Sequence, residues 1–182
     1  MESSLTPDED LVRRLRRGDM AAFDVLYDRY ERRLYGYIRR LLGAPEGADD
    51  LFQDILLTVL RDRTYDPGRG RFAAWLFMVA RNRCLAEQRR EHTRGALREQ
   101  ARVHLEPAAP AAPDANGETG RVHAAIASLP EPQRQLLLLK QVGELTYREI
   151  ADLLGVAEGT IKSRLHAATQ AFRRALTEGT GS

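Results

Sequence analysis

The chain has 182 residues, 43% of them hydrophobic and 30% charged, and its 28 basic and 26 acidic side chains leave a net charge of only +2. That length supports one modest core or two small ones, and the near-neutral total means that any signal for an anionic partner is local. Cys84 is the single cysteine, which excludes an internal disulfide framework. The opening MESSLTPDED has neither the basic start nor the apolar run of a secretory leader. Since no apolar stretch reaches the roughly 18 residues of a membrane span, a cytoplasmic protein without membrane insertion is expected.

A short leading helix is expected over residues 8–17. From Met20 to Leu42 the residues Phe23, Leu26, Tyr27, Tyr30, Leu34, Ile38 and Leu41 recur every three or four positions, which predicts a helix with one buried stripe. A second stripe, Leu51, Ile55, Val59 and Leu60, predicts a helix over 48–61. A third, Phe72, Trp75, Leu76, Val79 and Leu85, predicts one from Phe72 to about Arg98. Gly43-Ala-Pro45 and the Asp66-Pro-Gly-Arg-Gly70 run separate them. No segment alternates with period two, so the first domain, residues 8–102, reads as all-α.

Residues 103–120, VHLEPAAPAAPDANGETG, hold three prolines, no Lys or Arg, and the acids Glu106, Asp114 and Glu118, the composition of a flexible Pro/Ala-rich linker. A second helical domain then covers 121–178. Short helices are expected over Val122–Leu129, where Pro130 stops the first, and from Pro132 to about Val142. Thr146-Tyr-Arg-Glu149 fits a capping box, in which hydroxyl and carboxylate satisfy free amides at a helix start. From there TYREIADLLGVAEGTIKSRL reads as helix, tight turn, helix: Ala151 permits close approach, Gly155 supplies a positive φ, and Ile150, Leu154, Val156, Ile161 and Leu165 close a small core. In such a helix-turn-helix the start of the second helix enters the major groove, which makes Thr160, Lys162, Ser163 and Arg164 candidate DNA contacts, with Arg148 on the preceding helix. Two amphipathic helices around a glycine also occur in ordinary bundles. The coincidence of cap, small residue, glycine and polar-basic second helix favours the DNA-binding reading.

Between Arg61 and Arg102 there are eleven Arg against five acids, interleaved with Tyr65, Phe72, Trp75 and Phe77. Charge for phosphate and flat faces for unstacked bases are the needs of single-stranded DNA binding, although Phe72 and Trp75 at helical spacing are more often core than stacking platforms, and burial is favoured for Trp75. The four His are scattered, no Cys or His spacing offers a metal site and no glycine-rich phosphate loop occurs, so neither cofactor nor catalysis is expected.

Residues 129–165 resemble the fourth conserved region of extracytoplasmic-function (ECF) RNA polymerase sigma factors, through Leu129-Pro-Glu, Arg134, Glu149-Ile-Ala151 and Gly159-Thr-Ile-Lys-Ser-Arg164. Asp50-Leu-Phe-Gln-Asp54 resembles that family's region 2.2, and Phe72-Ala-Ala-Trp-Leu76, Val79-Ala-Arg-Asn82 and Arg89-Arg90 resemble regions 2.3 and 2.4. The resemblance implies a sigma factor that binds RNA polymerase core, at the clamp of the largest subunit and at the flap, and directs promoter-specific initiation. It implies that Asp50, Gln53 and Asp54 meet the clamp, although acids at a helix start also simply complement the dipole. It implies that Arg63, Tyr65, Arg69, Arg81, Asn82, Arg83, Arg89 and Arg90 hold the non-template strand of the minus-ten element, and that the helix-turn-helix reads the minus-thirty-five element. A separate anti-sigma factor is the implied regulator. Family members often carry Arg where this chain has Ala167 and Thr169, and Ala157 cannot cap the recognition helix as Ser would, a cost of about 1 kcal/mol. The rival readings are a helix-turn-helix repressor or activator working without core polymerase, and a polymerase adaptor that does not bind DNA.

Overall fold

The computed structural model describes residues 6–43, 47–61, 63–101 and 118–178, which form eight helices and no strand. The first four are α1 (Asp8–Arg16), α2 (Met20–Leu42), α3 (Ala48–Arg61) and α4 (Phe72–Ala101). The rest are α5 (Glu118–Ala127), α6 (Glu131–Gln141), α7 (Tyr147–Leu154) and α8 (Glu158–Glu178). Most of the expected linker, residues 103–117, lies outside the described residues, as does residue 102. Helix α5 begins at Glu118, ahead of the expected Val122.

Helix α1 places Asp8, Glu9 and Asp10 in its first turn and Arg13, Arg14 and Arg16 in its last, each set opposite in sign to the helix dipole's charge at that end and so favourable to it. The Asp19 carboxylate caps α2 by accepting from the Ala21 amide at 3.1 Å. Along α2 the buried stripe Leu26, Tyr30, Leu34, Tyr37, Ile38 and Leu41 faces α3 and α4. From α4 it meets Phe72, Leu76, Phe77, Ala80 and Cys84. Tyr37 and Phe77 pack edge to face at 5.3 Å, and Tyr30 meets Phe72 likewise at 5.5 Å. Trp75 is partly buried, leaning on Tyr65 and Phe72. The stripe expected for α3 needs one correction: Leu51, Ile55 and Val59 are buried, but Leu60 is 36% exposed and neighbouring Leu57 41%. Positions 51, 55 and 59 already fill the inward face, and Leu60 lies about 100° further round the helix from Val59.

In the second half the capping box forms as read: the Thr146 hydroxyl accepts from the Glu149 amide at 3.2 Å, and the Glu149 carboxylate accepts from the Thr146 amide at 2.8 Å. Gly155 ends α7 at φ +65°. An alanine there meets no steric neighbour, so the whole cost of Gly155→Ala is the left-handed backbone. A loss of about 1–2 kcal/mol is expected, checked by urea unfolding. Ile150, Ala151, Ile161 and Leu165 are buried, with Leu154 and Val156 packed against them.

Helix α6 buries four consecutive residues, Leu136 to Leu139, together with Gln135. Burial on every side requires cover on every side, and α6 has it: α8 and α7 on one flank, α2 on the other. The two halves therefore dock. Arg33 of α2 donates from Nε to the Val142 carbonyl at 3.0 Å and from Nη2 to the Gly143 carbonyl at 2.6 Å, and it pairs with Glu144 at 3.2 Å. Arg71 pairs with Glu149 at 3.4 Å, and Arg81 donates to the buried Gln135 amide oxygen at 3.0 Å.

Candidate nucleic-acid interface

Helix α7 turns Ile150 and Ala151 inward, which leaves Arg148 and Tyr147 outward, Tyr147 being 38% exposed. On α8 the burial of Ile161 and Leu165 leaves Lys162, Ser163 and Arg164 exposed and Thr160 half-buried. The Ser163 hydroxyl donates to the Thr160 carbonyl of its own helix, and Lys162 pairs with Glu158 at 2.9 Å. That carboxylate favours the charged lysine and raises its pKa. The Lys140 and Lys162 ammonium groups lie 5.0 and 5.9 Å from the centre of the Tyr147 ring, joining three helices in one basic-aromatic patch. Sequence reading missed Tyr147 and Lys140. The available signal was position: a residue directly after the Thr146 cap, with Ile150 and Ala151 facing in, has to face out.

On α4 the buried face is Ala73, Leu76, Phe77, Ala80 and Cys84, so Asn82, Arg83, Arg89 and Arg90 come to the surface. Residues 82 and 83 lie seven positions from 89 and 90, two helical turns, so the four form one stripe. Arg83 reaches α3, donating to the Thr58 hydroxyl at 3.2 Å and approaching Asp54 at 3.8 Å. Arg90 pairs with Glu87 at 3.3 Å. Arg81 is half-buried, occupied by Gln135, and 3.4 Å from the Asn82 side-chain oxygen.

The loop from Arg63 to Gly70 leads into this stripe. Arg63 and Arg69 are exposed, Arg69 lying 3.6 Å from Asp66. Tyr65, expected to offer its ring to an unpaired base, is only 3% exposed. Its ring stands 5.5 Å from Phe72 and 5.6 Å from Trp75, and its hydroxyl donates to the Gly70 carbonyl at 3.1 Å. Burial, aided by the Glu9 carboxylate, holds that hydroxyl far above its ordinary pKa, so it stays a donor. The same pattern of basic residues and aromatics served a core here, with the ring inside and the arginines out.

Asp50, Gln53 and Asp54 are all exposed on α3, and Leu57 continues their line at positions i, i+3, i+4 and i+7. Among the described residues no group of three or more His, Cys, Asp or Glu is placed to hold a metal, and no helix is long and apolar enough to cross a membrane.

The Sigma-70 region 2 family matches residues 26–94, and the Sigma-70 region 4 family matches 119–171. The chain is 31% identical over 171 residues to the ECF RNA polymerase sigma factor SigK of Mycolicibacterium vanbaalenii, covering 91% of this chain and 87% of that one. It is 32% identical over 157 residues to the sigma factor RpoE of Cereibacter sphaeroides, with 86% and 87% covered. Among solved structures, CnrH in complex with the cytosolic domain of CnrY superposes at a TM-score of 0.67 and 24% identity, over 94% of this chain and 97% of that chain. RpoE of Bartonella quintana, in complex with the anti-sigma factor NepR, superposes at 0.62 and 26% identity, over 79% of this chain and 89% of that chain. With regions 2 and 4 matched in order and relatives above 30% identity along most of its length, the chain belongs to the ECF sigma factors, which work with RNA polymerase core and promoter DNA to direct the start of transcription.

Proposed function

We propose that the stripe Asn82, Arg83, Arg89 and Arg90, with Arg63 and Arg69 of the preceding loop, holds the non-template strand of the minus-ten element, and that Arg81 joins it when released from Gln135. The observation that carries this reading is the stripe itself: on a helix whose other face is buried, one amide and three guanidinium groups line up over two turns without a core role. Arginines neutralise phosphates, and the Asn82 amide offers a donor and an acceptor to a base edge. Strand capture stabilises the melted duplex by binding energy alone, so no catalytic group is needed. Tyr65 leaves the contact set and acts from beneath, as part of the core that shapes the loop.

In the same reading Arg148, Thr160, Lys162, Ser163 and Arg164 face the major groove of the minus-thirty-five element, with Tyr147 and Lys140 at the neighbouring phosphates. Asp50, Gln53 and Asp54 dock on the clamp of the polymerase largest subunit, and region 4 meets the flap. A separate anti-sigma factor controls access, as the Bartonella quintana relative's complex with NepR supports.

The test is in vitro transcription from genomic fragments with core polymerase, with and without the protein. Discrete new start sites are expected. Arg164→Ala and Asn82→Ala should each cost roughly ten- to a hundredfold in initiation, the worth of one good base contact. DNA binding without any core-dependent start would overturn the reading in favour of a repressor or activator.

A further inference from the structure

We propose that α1 is a brace for the strand-binding loop, and that Arg16 and Glu9 are positioning residues that set the shape in which residues 63–70 meet the open strand. The proposal rests on the reading of that loop given above. Arg16 reaches across the chain and donates from Nη2 to two loop carbonyls, those of Arg63 at 3.3 Å and Tyr65. Its guanidinium also lies 6.0 Å from the centre of the Tyr65 ring. Glu9 holds the far end: its Oε1 accepts from the Phe72 amide at 3.4 Å, at the start of α4, and from the Tyr65 hydroxyl at 3.5 Å. Between these anchors Asp66 folds the turn, accepting from the Gly68 amide at 2.9 Å through its side chain and from the Arg69 amide at 3.0 Å through its carbonyl.

The brace is itself fixed. Leu11, Val12 and Leu15 are buried against α2, and Asp8 binds the Arg29 guanidinium and the Tyr30 hydroxyl. The bracing interactions use loop backbone and the buried Tyr65, while the side chains of Arg63 and Arg69 remain at the surface. Each loop residue left unordered in the free protein would add its backbone entropy to the cost of capture, so a loop shaped in advance binds more tightly and selects one strand geometry.

The experiment uses the full chain bound to core polymerase, with a fluorescent non-template oligonucleotide taken from a start site mapped in the transcription assay. Arg16→Gln and Glu9→Gln are each expected to weaken strand binding about tenfold, equivalent to ordering roughly one further residue. Arg16→Lys should recover most of that loss, because an ammonium still donates to carbonyls. Affinity for core and duplex binding by the α7–α8 unit should stay at native values. If Arg16→Gln binds the strand like the native protein while Arg63→Ala/Arg69→Ala binds it poorly, the brace is wrong and the loop reading stands. If neither alters strand binding, the loop reading falls and takes the brace with it. Equal losses of strand, core and duplex binding with Arg16→Gln, unrecovered by Arg16→Lys, would reduce Arg16 to a fold-holding residue and overturn the proposal.

Discussion

Replacing Asp50 and Asp54 together by Arg is expected to weaken binding to core RNA polymerase by several hundredfold while leaving the melting temperature within a few degrees of native. Both carboxylates are exposed on α3, in line with Gln53 and Leu57, on the face that α2 and α4 leave uncovered. Among the described residues the one ion pair between them and the rest of the fold is that of Asp54 with Arg83, at 3.8 Å with both side chains open to solvent, and such pairs contribute little to stability. Interfaces concentrate their energy in a few groups, so two central substitutions at about 2 kcal/mol each account for the expected loss. On the proposed clamp-docking reading Leu57 is the apolar member of the line, and Leu57→Ala should cost roughly tenfold by itself. Competition against core polymerase, with fluorescence anisotropy as readout and circular dichroism for the fold, decides the matter. Native affinity in the double variant would remove α3 from the interface.

The parts of this fold that the sequence made legible are those decided within a few residues. The Thr146–Glu149 capping box, the left-handed Gly155 and the α2 stripe from Leu26 to Leu41 each follow from local chemistry and stand where expected, whereas on α4 only Phe72 and Leu76 of the expected stripe are buried and Ala73, Phe77, Ala80 and Cys84 complete the inward face. Tyr65 was misread because an aromatic beside arginines satisfies two requirements at once, and only the tertiary placement of Phe72 and Trp75 decides which face the ring takes. Leu60 was read inward because a leucine next to Val59 extends an apolar run whether or not the helix has turned past its core. The start of α5 was hidden by the Ala- and Pro-rich composition preceding it. The contacts of Arg16 with the loop and of Arg33 with α6 join residues 47 to 110 positions apart, and single-sequence patterns carry no signal for such pairs.

Arg33→Ala is expected to separate the two halves of the molecule and, by doing so, to tighten binding of single-stranded minus-ten DNA. Arg33 is 28% exposed, spans α2 and the end of α6, and satisfies two carbonyls that the helix terminus leaves open. Its guanidinium also stacks between Tyr30 and Phe77, at 5.5 and 5.7 Å from their ring centres. Two charge-assisted hydrogen bonds are worth about 3 kcal/mol together, enough to shift a docking equilibrium over a hundredfold. In the docked form Arg81 is committed to Gln135, so it is not available to DNA without giving up its partner. On the strand-capture reading proposed above, docking and strand binding compete, and apparent affinity for the strand falls to the fraction of molecules that are open. Small-angle scattering should show a larger radius of gyration for Arg33→Ala than for the native chain, and oligonucleotide titration of the free protein should show a lower Kd. A larger radius with unchanged affinity would mean that Arg81 has no part in strand capture; an unchanged radius would mean that the buried leucines of α6 hold the halves together without help from Arg33.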